Sequence, residues 1–150
     1  MVREFDRHQH QHLDLVLDLW QPARPTRDDR QRVELAVSLA ATLCVETLRQ
    51  SSDARVALTV WGEGVSELND LAGPTGVNEL LDLLATVRPG ADALEDRTLQ
   101  PPVSAHLLGM LVTTRPELAP EWAPAEGRNA RMPVHVDPER LPSWFAIGEA

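Results

Sequence analysis

Four leucines that alternate with two aspartates and a valine form the clearest pattern in the chain. Successive side chains of a β-strand point to opposite faces, so alternation with a period of two predicts a strand over residues 13–19. A polar loop with two prolines follows over residues 21–25. The two sets of alternate positions are Leu13, Leu15, Leu17 and Leu19 on one face, and Asp14, Val16 and Asp18 on the other.

A long helix is predicted from Thr26 to about Gln50. Thr26 is a suitable N-cap, and Asp29 stands three residues later, in the capping-box position. Apolar residues recur after it at the spacing of one helix face: Val33, Ala36, Val37, Ala40, Leu43, Cys44 and Leu48.

Predicted strands and helices alternate along the rest of the chain. A strand is predicted over residues 55–61, ending at Gly62, and residues 73–76 are interpreted as a break before a helix over residues 77–87. Residues 107–113 are mostly apolar, as in a strand covered on both faces. A weak, peripheral strand is predicted over residues 132–136, and a short helix around residues 92–99.

This alternation predicts an α/β fold with three α/β/α layers and a mainly parallel sheet, joined by right-handed crossovers. Residues 1–12 are assigned to a polar lead-in, and residues 13–150 to one domain. In parallel sheets, ligands bind outside the carboxyl ends of the strands. A site is therefore expected among residues 18–25, 61–66, 89–96 and 113–117.

Composition narrows the classes of function. The 150 residues fit one domain, and 23 acidic against 14 basic residues give a net charge of -9, which argues against binding to nucleic acid or anionic membranes. No apolar run approaches the roughly 20 residues that cross a bilayer, so no membrane insertion is expected. The charged start lacks a signal-peptide segment, and the single cysteine, Cys44, is interpreted as a small buried hydrophobe. We expect a soluble, cytoplasmic protein.

The usual catalytic constellations are absent from the sequence. It contains neither a phosphate-binding Gly-x-x-x-x-Gly-Lys motif nor a Gly-x-Ser-x-Gly nucleophile elbow. Asp14 and Asp18 share a strand face but lie about 13 Å apart by strand rise, too far for a carboxylate pair. His106 and His135 have no recognisable nucleophile partner. We therefore expect no catalytic residues, and a binding protein rather than an enzyme.

Four stretches carry a resemblance to a known family: residues 2–7, 13–20, 32–42 and 111–116. Their order and spacing resemble the von Willebrand factor type A-like domain of the bacterial "domain of unknown function fifty-eight" family, in its planctomycete-like branch. The likeness covers most of the chain except residues 91–105 and 117–131. That family usually places a β-rich segment, and often membrane helices, before this domain. The chain is accordingly expected to be a short open reading frame or the carboxyl part of a longer protein.

The resemblance implies a type A-like, Rossmann-like fold and a role in protein interaction. Such proteins are commonly encoded beside MoxR-type AAA ATPases, so the expected partner is an ATPase of that type or its client. The alternative is a metal-dependent hydrolase or adhesion module that uses Asp18.

The resemblance also raises the question of a metal site. Type A domains often hold Mg²⁺ or Mn²⁺ on an Asp-x-Ser-x-Ser motif, and here Asp18 matches while Trp20 and Pro22 replace the two serines. Without the hydroxyls we expect a degenerate site with no tightly bound metal and no cofactor. Two alternatives stay open: Asp18 and Asp92 retain a weak cation, or Asp18 caps its loop or meets an arginine such as Arg115.

The proposed partner-binding residues are Asp18, Trp20, Trp61 and Arg115. Exposed tryptophans at the carboxyl ends of strands would make a binding hot spot, although both rings equally suit a role in covering the ends of the core. A second candidate for metal binding is the alternating histidine series of the lead-in, which is otherwise a solvated segment: His8, His10 and His12.

Overall fold

The computed structural model describes residues 12–91, 108–116 and 132–136, which form five strands and two helices. In chain order, the elements are β1 (His12–Asp18), α1 (Arg27–Gln50), β2 (Arg55–Trp61), β3 (Val65–Leu71), α2 (Gly73–Thr86), β4 (Leu108–Thr113) and β5 (Met132–His135).

The strands form one sheet in the order β3-β2-β1-β4-β5. Strand β1 pairs in parallel with β2 and β4, β5 runs parallel to β4, and β3 alone is antiparallel, to β2. Leu15, at the centre of β1, lies opposite Leu58 on one side and Met110 on the other. The prediction of a mixed α/β fold with a mostly parallel sheet is confirmed. The short helix predicted around residues 92–99 lies outside the described residues.

The sheet is buried around β1. Alternate residues of β1 join one hydrophobic cluster with residues of both helices, which also contact each other. On the other face of β1, Val16 is also buried, with 3% of its surface exposed. Neither described helix has the length and apolar character needed to cross a membrane.

Helix α1 begins as its sequence predicts. The Thr26 hydroxyl accepts a hydrogen bond from the Asp29 amide at 3.2 Å, and the Asp29 carboxylate accepts one from the Thr26 amide at 2.8 Å. That backbone hydrogen bond is the main cause that lowers the pKa of Asp29. Desolvation opposes it, while the Thr26 hydroxyl and Arg32 act with it. The predicted capping box is therefore confirmed.

The structure contains one strand that the sequence pattern does not predict, and two of its elements begin earlier than predicted. Strand β3 was not predicted, because an exposed strand with polar residues lacks apolar alternation. Residues 73–76, interpreted as a break, form the first turn of α2, where Pro74 is tolerated because the first amides of a helix have no partner within it. Strand β1 includes His12, which the prediction had assigned to the lead-in.

Candidate functional site at the carboxyl ends of β1 and β4

The candidate site lies where the connectivity of the sheet changes direction. From β1 the chain passes through α1 to β2 on one side, whereas β4 occupies the other side of β1. In open parallel sheets, ligands bind outside the carboxyl ends of the strands at such a point. Asp18 ends β1 and lies opposite Thr113, which ends β4. We use the name switch-point rim for residues 18–20 and 113–115.

The Asp18 carboxylate lies at the centre of the switch-point rim and is neutralised by Arg115. Nε of Arg115 donates to Oδ2 of Asp18 at 2.7 Å, and the Thr113 hydroxyl donates to the same oxygen at 2.8 Å. The side chains of Asp18 and Arg115 are only 2% and 9% exposed. Of the alternatives left open for Asp18, the contact with Arg115 is the one that the structure contains.

Thr113 and Thr114 hold the ends of the two strands together. The Thr113 hydroxyl accepts from the Arg115 amide at 3.1 Å, which places the arginine backbone beside its acidic partner. The Thr114 hydroxyl accepts from the Trp20 amide at 2.8 Å, and its side chain is oriented to donate to the Trp20 carbonyl oxygen. The hydroxyl of Thr114, directly after β4, therefore fixes the loop that leaves β1, while that of Thr113 holds the end of β1 itself.

Trp20 is half-buried and its indole is close to the buried ion pair. The guanidinium carbon of Arg115 lies 5.6 Å from the centroid of the Trp20 ring, within the range of a cation–π interaction. A parallel bridge between Trp20 and Gly90 ties the backbone on its other side. The indole is thus carried by a backbone that is held from two directions.

Two glycines allow the neighbouring loops to approach each other. The Glu63 amide donates to the Arg88 carbonyl at 3.0 Å, and the Gly90 amide donates to the Leu19 carbonyl at 3.0 Å. A Cβ atom on Gly62 would overlap the carbonyl oxygen of Arg88, and one on Gly90 would approach the carbonyl oxygen of Gly62 to 2.5 Å. Only glycine fits this contact without a shift of the backbone.

The structure brings three of the four proposed partner-binding residues together: Asp18, Trp20 and Arg115. Trp61 ends the neighbouring strand β2, and only 6% of its surface is exposed, so its ring suits the alternative role of covering the end of the core. Its backbone carbonyl accepts from the Leu19 amide at 2.8 Å. Partner binding by all four residues stays a prediction.

The surroundings of Asp18 fit a guanidinium better than a metal ion. Mg²⁺ and Mn²⁺ take several hard oxygen ligands, whereas the groups closest to this carboxylate are the donors of Arg115 and Thr113. Across residues 12–91, 108–116 and 132–136, no three His, Cys, Asp or Glu side chains are grouped in a way that could hold a metal. Asp92, His8 and His10, named above as candidate ligands, lie outside these ranges.

The sequence pattern did not indicate the roles of two hydroxyl groups and of one histidine. Thr113 and Thr114 interrupt an apolar run at its carboxyl end, which was a readable signal for polar groups at the site. His135, whose Nδ1 lies 3.2 Å from the Arg115 carbonyl oxygen, gave no such signal, because only the pairing of β5 with β4 places it there.

The chain was compared with protein-family models, with curated proteins and with solved structures, and none of the three comparisons found a significant match.

Proposed function

We propose that this chain is a von Willebrand factor type A-like interaction domain that binds a protein partner at the switch-point rim and needs no divalent cation to do so. Support for the fold assignment comes from the strand order, in which β2, β1 and β4 follow the order of a doubly wound sheet. The antiparallel β3 is an edge addition of the kind that mostly parallel sheets tolerate.

The observation that carries the proposal is the ion pair between Arg115 and Asp18. A carboxylate at the switch point would otherwise attract a cation, and the guanidinium supplies that positive charge from within the chain. Because the pair is buried and its geometry is fixed by Thr113, the rim is complete before any ligand arrives. A surface prepared in this way loses little conformational freedom on binding.

Trp20 is the expected anchor of the interface. Tryptophan and arginine are the residues that most often dominate the energy of protein interfaces, and here they lie in contact. The half-buried indole rests on a backbone fixed by Thr114 and Gly90. A partner can therefore cover the open part of the ring without ordering the loop first.

The partner proposed is a MoxR-type AAA ATPase or its client, on the strength of the resemblance stated above. Such a complex would assemble in the cytoplasm, and the chain would act in it by binding and without catalysis. The net charge of -9 fits a protein partner better than a nucleic acid.

The test is binding of the purified chain to the MoxR-type ATPase of the source genome, measured by isothermal titration in EDTA. We expect Trp20→Ala to weaken binding at least ten-fold, as for an interface hot spot. The matched control is Leu81→Ala, which shortens an apolar side chain that is 42% exposed on α2. Equal affinity of the Trp20→Ala variant and wild type, or loss of binding in EDTA, would refute the proposal.

A second titration, with Mg²⁺ and Mn²⁺ alone, addresses the alternative of a metal-dependent module. We expect no stoichiometric binding, because a cation would have to displace Arg115 from Asp18. Tight binding that disappears in Asp18→Asn would favour the metal-dependent hydrolase or adhesion module instead.

A further inference from the structure

A second surface lies on the opposite side of the sheet from β4, at the outer edge of β3. Strand β3 is the last in the strand order on that side, so one row of its backbone amide and carbonyl groups points away from β2. Most of the strand is accessible: Val65 is 52% exposed, Glu67 and Asn69 are exposed, and only Leu71 is buried. No strand among the described residues pairs with this edge.

The regular part of the edge is short. The β2–β3 register is continuous from the pair Trp61–Val65 to the pair Leu58–Leu68, and it shifts beyond that point. Asp70 has a φ angle of 56°, in the left-handed region, which marks the irregularity. Residues 65–68 are therefore the stretch that offers evenly spaced hydrogen-bonding groups to an added strand.

A pocket of 290 Å³ adjoins this stretch. Val60 and Ser66 lie opposite each other in the β2–β3 register and both line the pocket. Leu83 of α2 and Val87, directly after α2, also line it. The pocket thus opens on the helix-bearing face beside the start of β3. A side chain of an added strand that points toward that face would be directed into it.

The charges along the edge select the occupant. Glu63 and Glu67 are exposed beside the regular stretch, whereas Asp70 beyond it is already in contact with Arg55, at 3.6 Å. Arg88 also lines the pocket, and its carbonyl oxygen accepts from the Glu63 amide. A second copy of the chain would bring the same acidic edge against itself, and each copy carries a net charge of -9. An extended segment with basic residues avoids this repulsion.

We propose that the β3 edge binds an extended, basic peptide segment of a partner protein, which adds to the sheet as a strand and places one apolar side chain in the pocket between β3 and the end of α2. The backbone pairing provides the general attraction, and the pocket and the acidic side chains provide the selectivity. This surface is separate from the switch-point rim, so its test does not depend on the function proposed there.

The probe is a fluorescein-labelled peptide that alternates arginine with leucine or valine, with fluorescence anisotropy as the readout. The wild-type chain is expected to bind this basic peptide. It should bind a peptide with glutamate in place of each arginine at least ten-fold more weakly. Peptides with alternate N-methyl amides, made in both registers, should differ: one register should abolish binding because it removes the donors that face β3. Equal binding of both registers and the unmodified peptide would overturn the proposal.

Three variants locate the site. Glu67→Arg is expected to weaken binding of the basic peptide about five-fold at low salt, the size of one exposed charge pair. Glu34→Arg makes the same charge change on the exposed face of α1 and should have little effect. Ser66→Phe, which fills the pocket, should weaken binding in a chain shown to be folded by circular dichroism. Equal loss in Glu34→Arg and Glu67→Arg, peptide binding unaffected by Ser66→Phe, or dimerisation through this edge in place of peptide binding, would each refute it.

Discussion

At the residue scale, the contact between Asp18 and Arg115 has the largest expected effect on stability. Removing one member of a buried pair leaves the other charge without compensation, and such changes cost about 3 kcal/mol or more. The side chain of Asp18 is 2% exposed and that of Arg115 is 9% exposed, so solvent screens this pair little. We therefore expect Arg115→Ala to lower the free energy of unfolding by about 3 kcal/mol in urea titrations.

Two variants make that prediction specific. The double variant Asp18→Ala/Arg115→Ala removes both charges and should be clearly less unstable than the sum of the two single changes. Arg32→Ala breaks a more exposed pair with Asp29 and should cost less than about 1 kcal/mol. If Arg115→Ala and Arg32→Ala lower the free energy of unfolding by similar amounts, the ion pair between Asp18 and Arg115 does not stabilise the fold as its burial implies.

Cys44 gives a second prediction at this scale. Its side chain is fully buried, and burial raises the pKa of the thiol from 9.0 to about 12. The folded chain therefore keeps this proton at pH values where the unfolded chain loses it. The resulting stability is complete below pH 9 and is lost as pH rises from 9 toward 12.

The composition of the chain leaves few other side chains that titrate in the same pH range. All 14 basic residues are arginine and the chain has no tyrosine, so Cys44 is the one side chain whose ordinary pKa falls between about 8 and 11. We expect the urea concentration at the unfolding midpoint of wild type to decrease as the pH is raised from 8 to 10.5. The midpoint of Cys44→Ala should change much less. Parallel decreases in both proteins would contradict the burial of the thiol.

At the scale of elements, the hydrophobic pattern predicted the buried strands and helix α1 but did not predict the exposed strand β3. Strands β1, β2 and β4 and helix α1 were found because burial requires apolar residues at the period of each element. Most residues of strand β3 are exposed or half-buried, and its apolar positions, Val65, Leu68 and Leu71, do not alternate. The first turn of α2 was missed because Gly73 and Pro74 also serve as turn residues.

The contact between the β2–β3 hairpin and the segment after α2 gives a matched pair of glycine variants. A methyl group at Gly62 would overlap the Arg88 carbonyl, whereas one at Gly64 would meet nothing within 4 Å. We expect Gly62→Ala to destabilise the chain by about 1–3 kcal/mol, as overpacking does, because backbone must move. Thermal melts of both variants provide the measurement, and Gly64→Ala should leave the melting temperature almost unchanged. Equal decreases in melting temperature in the two variants would rule out this contact.

At the scale of the whole molecule, the parts of the site that were predictable are those that depend on strand order alone. Asp18 and Arg115 could be expected together because Asp18 lies near the end of one predicted strand and Arg115 just beyond the end of another, and the carboxyl ends of parallel strands share an edge of the sheet. The contacts of Thr114 with Trp20 and of His135 with Arg115 depend on register and on the side on which β5 joins, which periodicity does not encode. The β3 edge depended on a strand that was not predicted.

The topology also sets an order of local stability that hydrogen exchange can measure. Strand β1 lies between β2 and β4 and is buried along six of its seven residues, so its amides should exchange slowest, close to the rate of global unfolding. Residues 65–68 lie at the open edge and should exchange much faster. The basic peptide should slow exchange most in residues 65–68, and should slow it in residues 13–17 only as far as binding stabilises the whole fold. If residues 65–68 are already as protected as β1 without peptide, the edge is covered in solution and is not available to a partner.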